Sequence, residues 1–257
     1  MITWSLFLPF ALVATLLWAM GAIAAISQKR GKTSRVCQWM MGAGMGVYLL
    51  FIIGLWVGLG RPPMRTLGET RLWYSLFMMV SGWMVYAGWH IRWIPFTSLL
   101  MALVFIIINI AKPDQHDQSL MPALQSVWFI PHVTAYMFAY SIFGCAFLLA
   151  TAGLWRQSGK YLRTTDSLAR IGMIFLSFGM LSGCIWAKQA WGNYWSWDPK
   201  ETWAAATWCV YLAYIHQRLF KRDLFVYWWL IAGFVLLQMC WYGVNLLPSA
   251  ANSLHSY

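Results

Sequence analysis

Between Trp191 and Trp203 the chain reads WGNYWSWDPKETW, too polar to continue a membrane span and too aromatic for an ordinary loop. Four large rings, Trp191, Tyr194, Trp195 and Trp197, crowd into seven residues, and Gly192 permits close approach of backbone. Such a cluster suits a platform for a flat, apolar and partly charged ligand. A belt of Trp and Tyr at a membrane boundary gives a plainer account, but a belt needs no particular spacing. The end of the segment also has a structural logic. Asp198 can cap a helix, Pro199 fits its first position, and Glu201 stands three residues after the cap, as in a capping box.

Ionisable groups inside a membrane are functional candidates by default. Of five histidines, His132 opens an apolar run in WFIPHVTAYMFAY, and His255 follows the last such run. In the topology derived below both lie outside and bracket the aromatic segment. His216 comes 18 residues after Asp198, about 27 Å along a helix, and belongs to a different site. His90, beside Arg92, reads as an interfacial residue, and His116, in the polar AKPDQHDQSL loop, as a solvated one. Cys37, Cys145, Cys184, Cys209 and Cys240 are scattered through apolar stretches without a CxxC pair. That pattern argues against a disulfide framework, a thiol–disulfide oxidoreductase and covalently attached haem on this chain. No Ser/His/Asp or HExxH constellation suggests a hydrolase.

The elements that must position these groups are membrane helices. The 257 residues are 61% apolar, 18% aromatic and only 10% charged, whereas soluble domains carry about 25% charged residues. Apolar runs recur at 4–26, 37–59, 72–89, 94–111, 129–153, 169–188, 201–217 and 225–247. The expectation is an all-α, polytopic integral membrane helical bundle of about eight transmembrane helices, one domain over 1–257 with an external segment at 190–203. No basic residue precedes the first run, so it reads as a retained helix rather than a signal peptide. With both termini outside, twelve of the 18 Lys and Arg fall in inner loops; Arg61, Arg65, Arg71, Lys112, Lys188 and Lys200 remain outside. The bias toward inner cations supports that orientation. The net charge of +11 is therefore assigned to the membrane, with no nucleic-acid partner. Three of the outer arginines stand in GRPPMRTLGETRLW, either anchoring to lipid phosphate or forming a patch for an anionic ligand.

The segment WGxxWxWD, present as Trp191, Gly192, Trp195, Trp197 and Asp198, resembles the tryptophan-rich (WWD) signature of haem-handling proteins of cytochrome c maturation. The longer WGNYWSWDPKETWAAATWCVYLAYIHQR is similar to the CcsA (ResC) branch, and NLLPSAANSLHSY, from Asn245, to the end of that family. GRPPMRTLGET looks like a divergent form of the family's GHFPLSNLYES, with Arg61 where the family has His and Glu69 retained.

The resemblance implies a bacterial inner-membrane protein of System II cytochrome c biogenesis, with the WWD segment on the periplasmic side. It implies a partner, a CcsB/ResB-type membrane subunit, with which the chain forms a cytochrome c synthase. Haem b would move to the external face, where the two thiols of an apocytochrome c CxxCH add across its vinyl groups. His132 and His255 match the external haem-iron ligands, and His216 matches the ligand of an inner site. Trp191, Gly192, Tyr194, Trp195, Trp197 and Asp198 would hold the macrocycle. Arg61, Arg65, Lys188 and Lys200 are candidates to neutralise its propionates. Two other readings stay open: an exporter delivering haem to a separate chaperone, as in the CcmC branch, and a b-type electron-transfer cytochrome.

Overall fold

A computed structural model describes residues 2–29, 32–116, 126–220 and 223–248. Among the described residues, eight long helices make the fold: α1 Phe7–Ser27, α2 Arg35–Leu59, α3 Leu67–Trp89, α4 Ile94–Ala111, α5 Phe129–Trp155, α6 Leu162–Trp191, α7 Pro199–Phe220 and α8 Tyr227–Trp241. There is no strand among the described residues. The protein is an integral membrane helical bundle: α1, α2, α4, α5 and α6 are each long and apolar enough to cross a bilayer, as is α8 together with the 3-10 turn Leu224–Val226 before it. The remaining two, α3 and α7, have 23 and 22 residues and thus the same reach, but are less apolar, with Glu69 and Arg71 in α3 and Lys200, Glu201 and Arg218 in α7.

Local sequence sets the helix ends. Ser34 Oγ accepts from Cys37 N at the start of α2, and Thr66 with Glu69 forms a reciprocal capping box on α3. Such caps satisfy amides that have no partner within the helix. Two helices depart most from the apolar runs. α6 begins at Leu162, ahead of the run, because its polar first turns are satisfied by α7: Thr165 Oγ1 lies 3.1 Å from the Tyr214 hydroxyl, and Asp166 pairs with Arg218 at 2.7 Å. α8 stops at Trp241, and the chain tightens into a 3-10 turn over Gly243–Leu246.

The helices form two compact units, α1–α4 and α5–α8. In the first, α1 lies along α2 and α4, and α3 along α4. Trp18 is fully buried over Gly44, where a Cβ would stand 2.5 Å from the indole. At one end of this unit Asn109 Nδ2 donates to the Gly68 carbonyl at 3.0 Å, and His116 stacks on Trp4 at 3.7 Å between ring centroids. His116 is only 9% exposed, which corrects the expectation of a solvated loop residue. The polar composition around it gave no sign that an indole more than a hundred residues earlier covers the ring.

In the second unit the most extensive contact is between α5 and α6, with α7 against α6 and α8, and α8 returning to α5. One end gathers the start of α5, the end of α6 and the start of α7; the opposite end holds the Asp166–Arg218 pair.

Candidate functional site

The α5–α6 contact is a row of rings seated on glycines. A Cβ at Gly183 would stand 2.6 Å from His132 Nδ1, one at Gly179 2.2 Å from Tyr136 Cδ1, and one at Gly172 2.6 Å from Phe143 Cε1. The steps match: four and then seven residues along α5, four and then seven back along α6. Antiparallel helices in this register bring each ring against bare backbone, the close approach that small residues allow.

His132 is fixed by this register. Its Nδ1 lies 2.8 Å from the Gly179 carbonyl oxygen. A carbonyl only accepts, so Nδ1 carries a proton, and in the neutral ring the lone pair is on Nε2. The ring also meets Tyr136 at 4.5 Å and stacks near Trp186 at 5.4 Å, and Trp186 meets Trp191 edge-on at 4.8 Å. A continuous run of rings thus leads from His132 to the first residue of the tryptophan-rich segment. Trp186 and Tyr136 were absent from the sequence reading. The i, i+4 spacing of His132 and Tyr136 and the Gly179-x-x-x-Gly183 spacing were the available signals.

Beyond Trp191 the chain turns at Gly192, whose φ of 85° ends α6 in the left-handed region that glycine adopts freely. Lys188 Nζ donates to the Gly192 carbonyl at 2.7 Å and lies 5.4 Å from the Tyr194 ring centroid. Tyr194 and Trp197 are well exposed, and Trp195 meets Trp197 edge-to-face at 5.7 Å. Asp198 caps α7 through Oδ1, which accepts from Lys200 N at 2.9 Å. Glu201 Oε2 accepts from Asp198 N at 3.1 Å and from Ser196 N at 2.8 Å. The cap read in the sequence is formed: Glu201 reaches back to the Asp198 amide as in a capping box, and the Asp198 carboxylate caps the amide of Lys200.

His216 stands near the far end of α7, with Nδ1 2.9 Å from the Leu212 carbonyl oxygen. The same reasoning puts a proton on its Nδ1. The continuous helix from Pro199 separates it from Asp198 by about 27 Å. His255 lies outside the described residues. His90 ends α3 in a left-handed conformation, φ 58°, and is exposed.

The arginine-rich loop is organised inwardly. Arg61 makes a bidentate pair with Glu69, at 2.9 and 2.8 Å. Glu69 Oε2 accepts also from Arg65 N and Thr66 N, at 2.7 and 3.2 Å. The Glu69 side chain is 1% exposed. Burial, and then the neighbouring Arg61, lower the Arg65 pKa below its usual value, partly offset by Glu69; an arginine nevertheless stays charged. Arg61, expected as a cation for an outside anion, has its charge matched within the loop.

One end of the α5–α8 unit thus joins a half-buried histidine, its Nδ1 proton tied to backbone, through a run of rings to an exposed aromatic turn. Residues 64–251 match the family model described as Cytochrome C assembly protein, and the chain belongs to that family. It is 29% identical to the cytochrome c biogenesis protein CcsA of Synechococcus sp. (strain RCC307), over 90% of this chain and 87% of that one. It is 33% identical to the CcsA protein of Chlamydomonas reinhardtii, over 88% and 69% of the two chains. With CcsA of Cuscuta reflexa the identity is 31% over 83% of each. The protein therefore has a role in cytochrome c biogenesis.

Proposed function

We propose that the protein, with a CcsB/ResB-type membrane subunit, brings haem b to the external face of a bacterial inner membrane and presents it there to apocytochrome c. Both termini and the segment 190–203 lie on that face in this reading, and the chain is a subunit of a cytochrome c synthase. The observation that carries it is the Nδ1–H of His132 held by the Gly179 carbonyl. Histidines that ligate a metal through Nε2 are commonly oriented in this way. The donor set suits a porphyrin iron: the imidazoles of His132 and His255 would hold it. Trp191, Tyr194, Trp195 and Trp197 offer ring faces for the macrocycle, with Gly192 and Asp198 fixing the backbone between and after them. His216 serves a second, inner site with a ligand from the partner subunit.

The chemistry at the outer site is addition rather than redox. Each thiol S–H of the CxxCH adds across a vinyl C=C; sulfur bonds one carbon and the proton ends on the other. This chain's contribution is positioning, which converts an encounter of three groups into an effectively intramolecular reaction. His132 and His255 would hold the iron, and one of them would have to yield to the histidine of the incoming CxxCH.

Co-expression with the CcsB-type subunit and an apocytochrome bearing CxxCH tests the reading by covalent haem on the product. His132→Ala and His255→Ala each abolish it and His90→Ala leaves it intact. A product without covalent haem, when both wild-type subunits are folded, defeats the proposal.

A further inference from the structure

Trp197 has φ 58°, a conformation that bulky side chains rarely adopt. Its carbonyl accepts from Thr202 Oγ1 at 3.2 Å, and the amides on either side of it, from Ser196 and Asp198, both point at one oxygen, Glu201 Oε2. In an extended strand those two amides stand about 7 Å apart, too far to share an acceptor. Converging them requires a turned backbone of the kind that forms an anion-binding nest, and here the left-handed Trp197 supplies the turn. The Glu201 carboxylate fills that nest from the first turn of α7, where a negative charge is also favoured by the helix dipole. The indole between the two amides is consequently thrown outward, 69% exposed, with its edge or face toward Trp195.

We propose that Glu201 is the positioning residue of the tryptophan platform: its carboxylate, bridging the amides of Ser196 and Asp198, sets the left-handed backbone that turns the Trp197 indole outward against Trp195. The cap of α7 and the posture of the platform are then one device. The functional weight of that posture rests on the haem-presentation reading; the posture itself does not.

The test uses the full-length protein in detergent, labelled with 5-fluorotryptophan, with the Trp197 and Trp191 fluorine resonances assigned by their loss in Trp197→Phe and Trp191→Phe. Glu201→Ala shifts the Trp197 resonance by more than its linewidth and leaves Trp191 in place. Glu201→Gln, whose amide oxygen still accepts, restores the Trp197 position. An unmoved Trp197 resonance in a folded Glu201→Ala protein overturns the proposal. If that variant fails to accumulate, adding Trp197→Gly decides, because glycine takes the left-handed conformation unaided: recovery of folded protein supports the bridge, and no recovery overturns it. Haem retention is read separately. Loss in Glu201→Ala equal to that in Trp197→Phe supports the platform; retention in both, with the resonance shifted, sinks the haem reading and leaves the positioning role standing.

Discussion

Replacing Gly183 with alanine puts a methyl carbon 2.6 Å from His132 Nδ1 and 2.8 Å from Cε1, where ordinary contact begins at 3.4 Å. The imidazole must retreat by about 0.8 Å, the difference between the two distances. Its 2.8 Å bond to the Gly179 carbonyl then opens to a separation at which no hydrogen bond remains. Overpacking of this kind costs about 1–3 kcal/mol, and the lost bond about 1 kcal/mol more. Gly183→Ala should therefore lower stability by about 2–4 kcal/mol, and loosening a metal-ligand orienter should weaken haem binding about 10- to 100-fold. Unfolding in mixed micelles measures the first, and haem titration of the purified protein measures the second. Gly46→Ala is the control, since a Cβ there meets nothing within 4 Å. Removing the ring should remove the clash, so Gly183→Ala costs far less in a His132→Ala background. Equal costs in the two backgrounds, or a cost no greater than that of Gly46→Ala, refute the reasoning.

Arg61→Ala leaves the Glu69 carboxylate buried with only its amide donors. It should destabilise by about 3 kcal/mol, the low end for breaking a buried pair. Adding Glu69→Gln should recover much of the loss in a double-mutant cycle of thermal unfolding. At Trp197, Gly should be more stable than Ala by about 1 kcal/mol, because only the alanine keeps the cost of a left-handed backbone. Calorimetry of the two variants checks the sign.

What was legible in the sequence is what local chemistry decides. The eight apolar runs became α1–α8, the Asp198–Glu201 spacing became a formed cap, and the 18 residues from Asp198 to His216 became a separation along one helix. What was not legible depends on chain segments meeting. The loop sequence around Arg61 looked like a patch of free cations because the Arg61–Glu69 pair spans a turn rather than a helical repeat. His116 looked solvated because its cover, Trp4, is at the other end of the unit's sequence. Trp186 looked like any tryptophan in an apolar helix until the register placed His132 against it. The left-handed Trp197 has no signature of its own; the Glu201 that creates it had already been explained as a cap.

The seating of His132, Tyr136 and Phe143 on glycines of the very next helix also bears on how the chain is made. Synthesis proceeds from the N-terminus, so α5 reaches the bilayer first, with three rings and no seats for them. The seats arrive with α6 alone, before α7 or α8 has reached the bilayer. The His132 side chain can therefore be placed, and its ring proton committed, while the rest of the unit is still on the ribosome. The tryptophan-rich turn is then threaded onto a hairpin that is already closed.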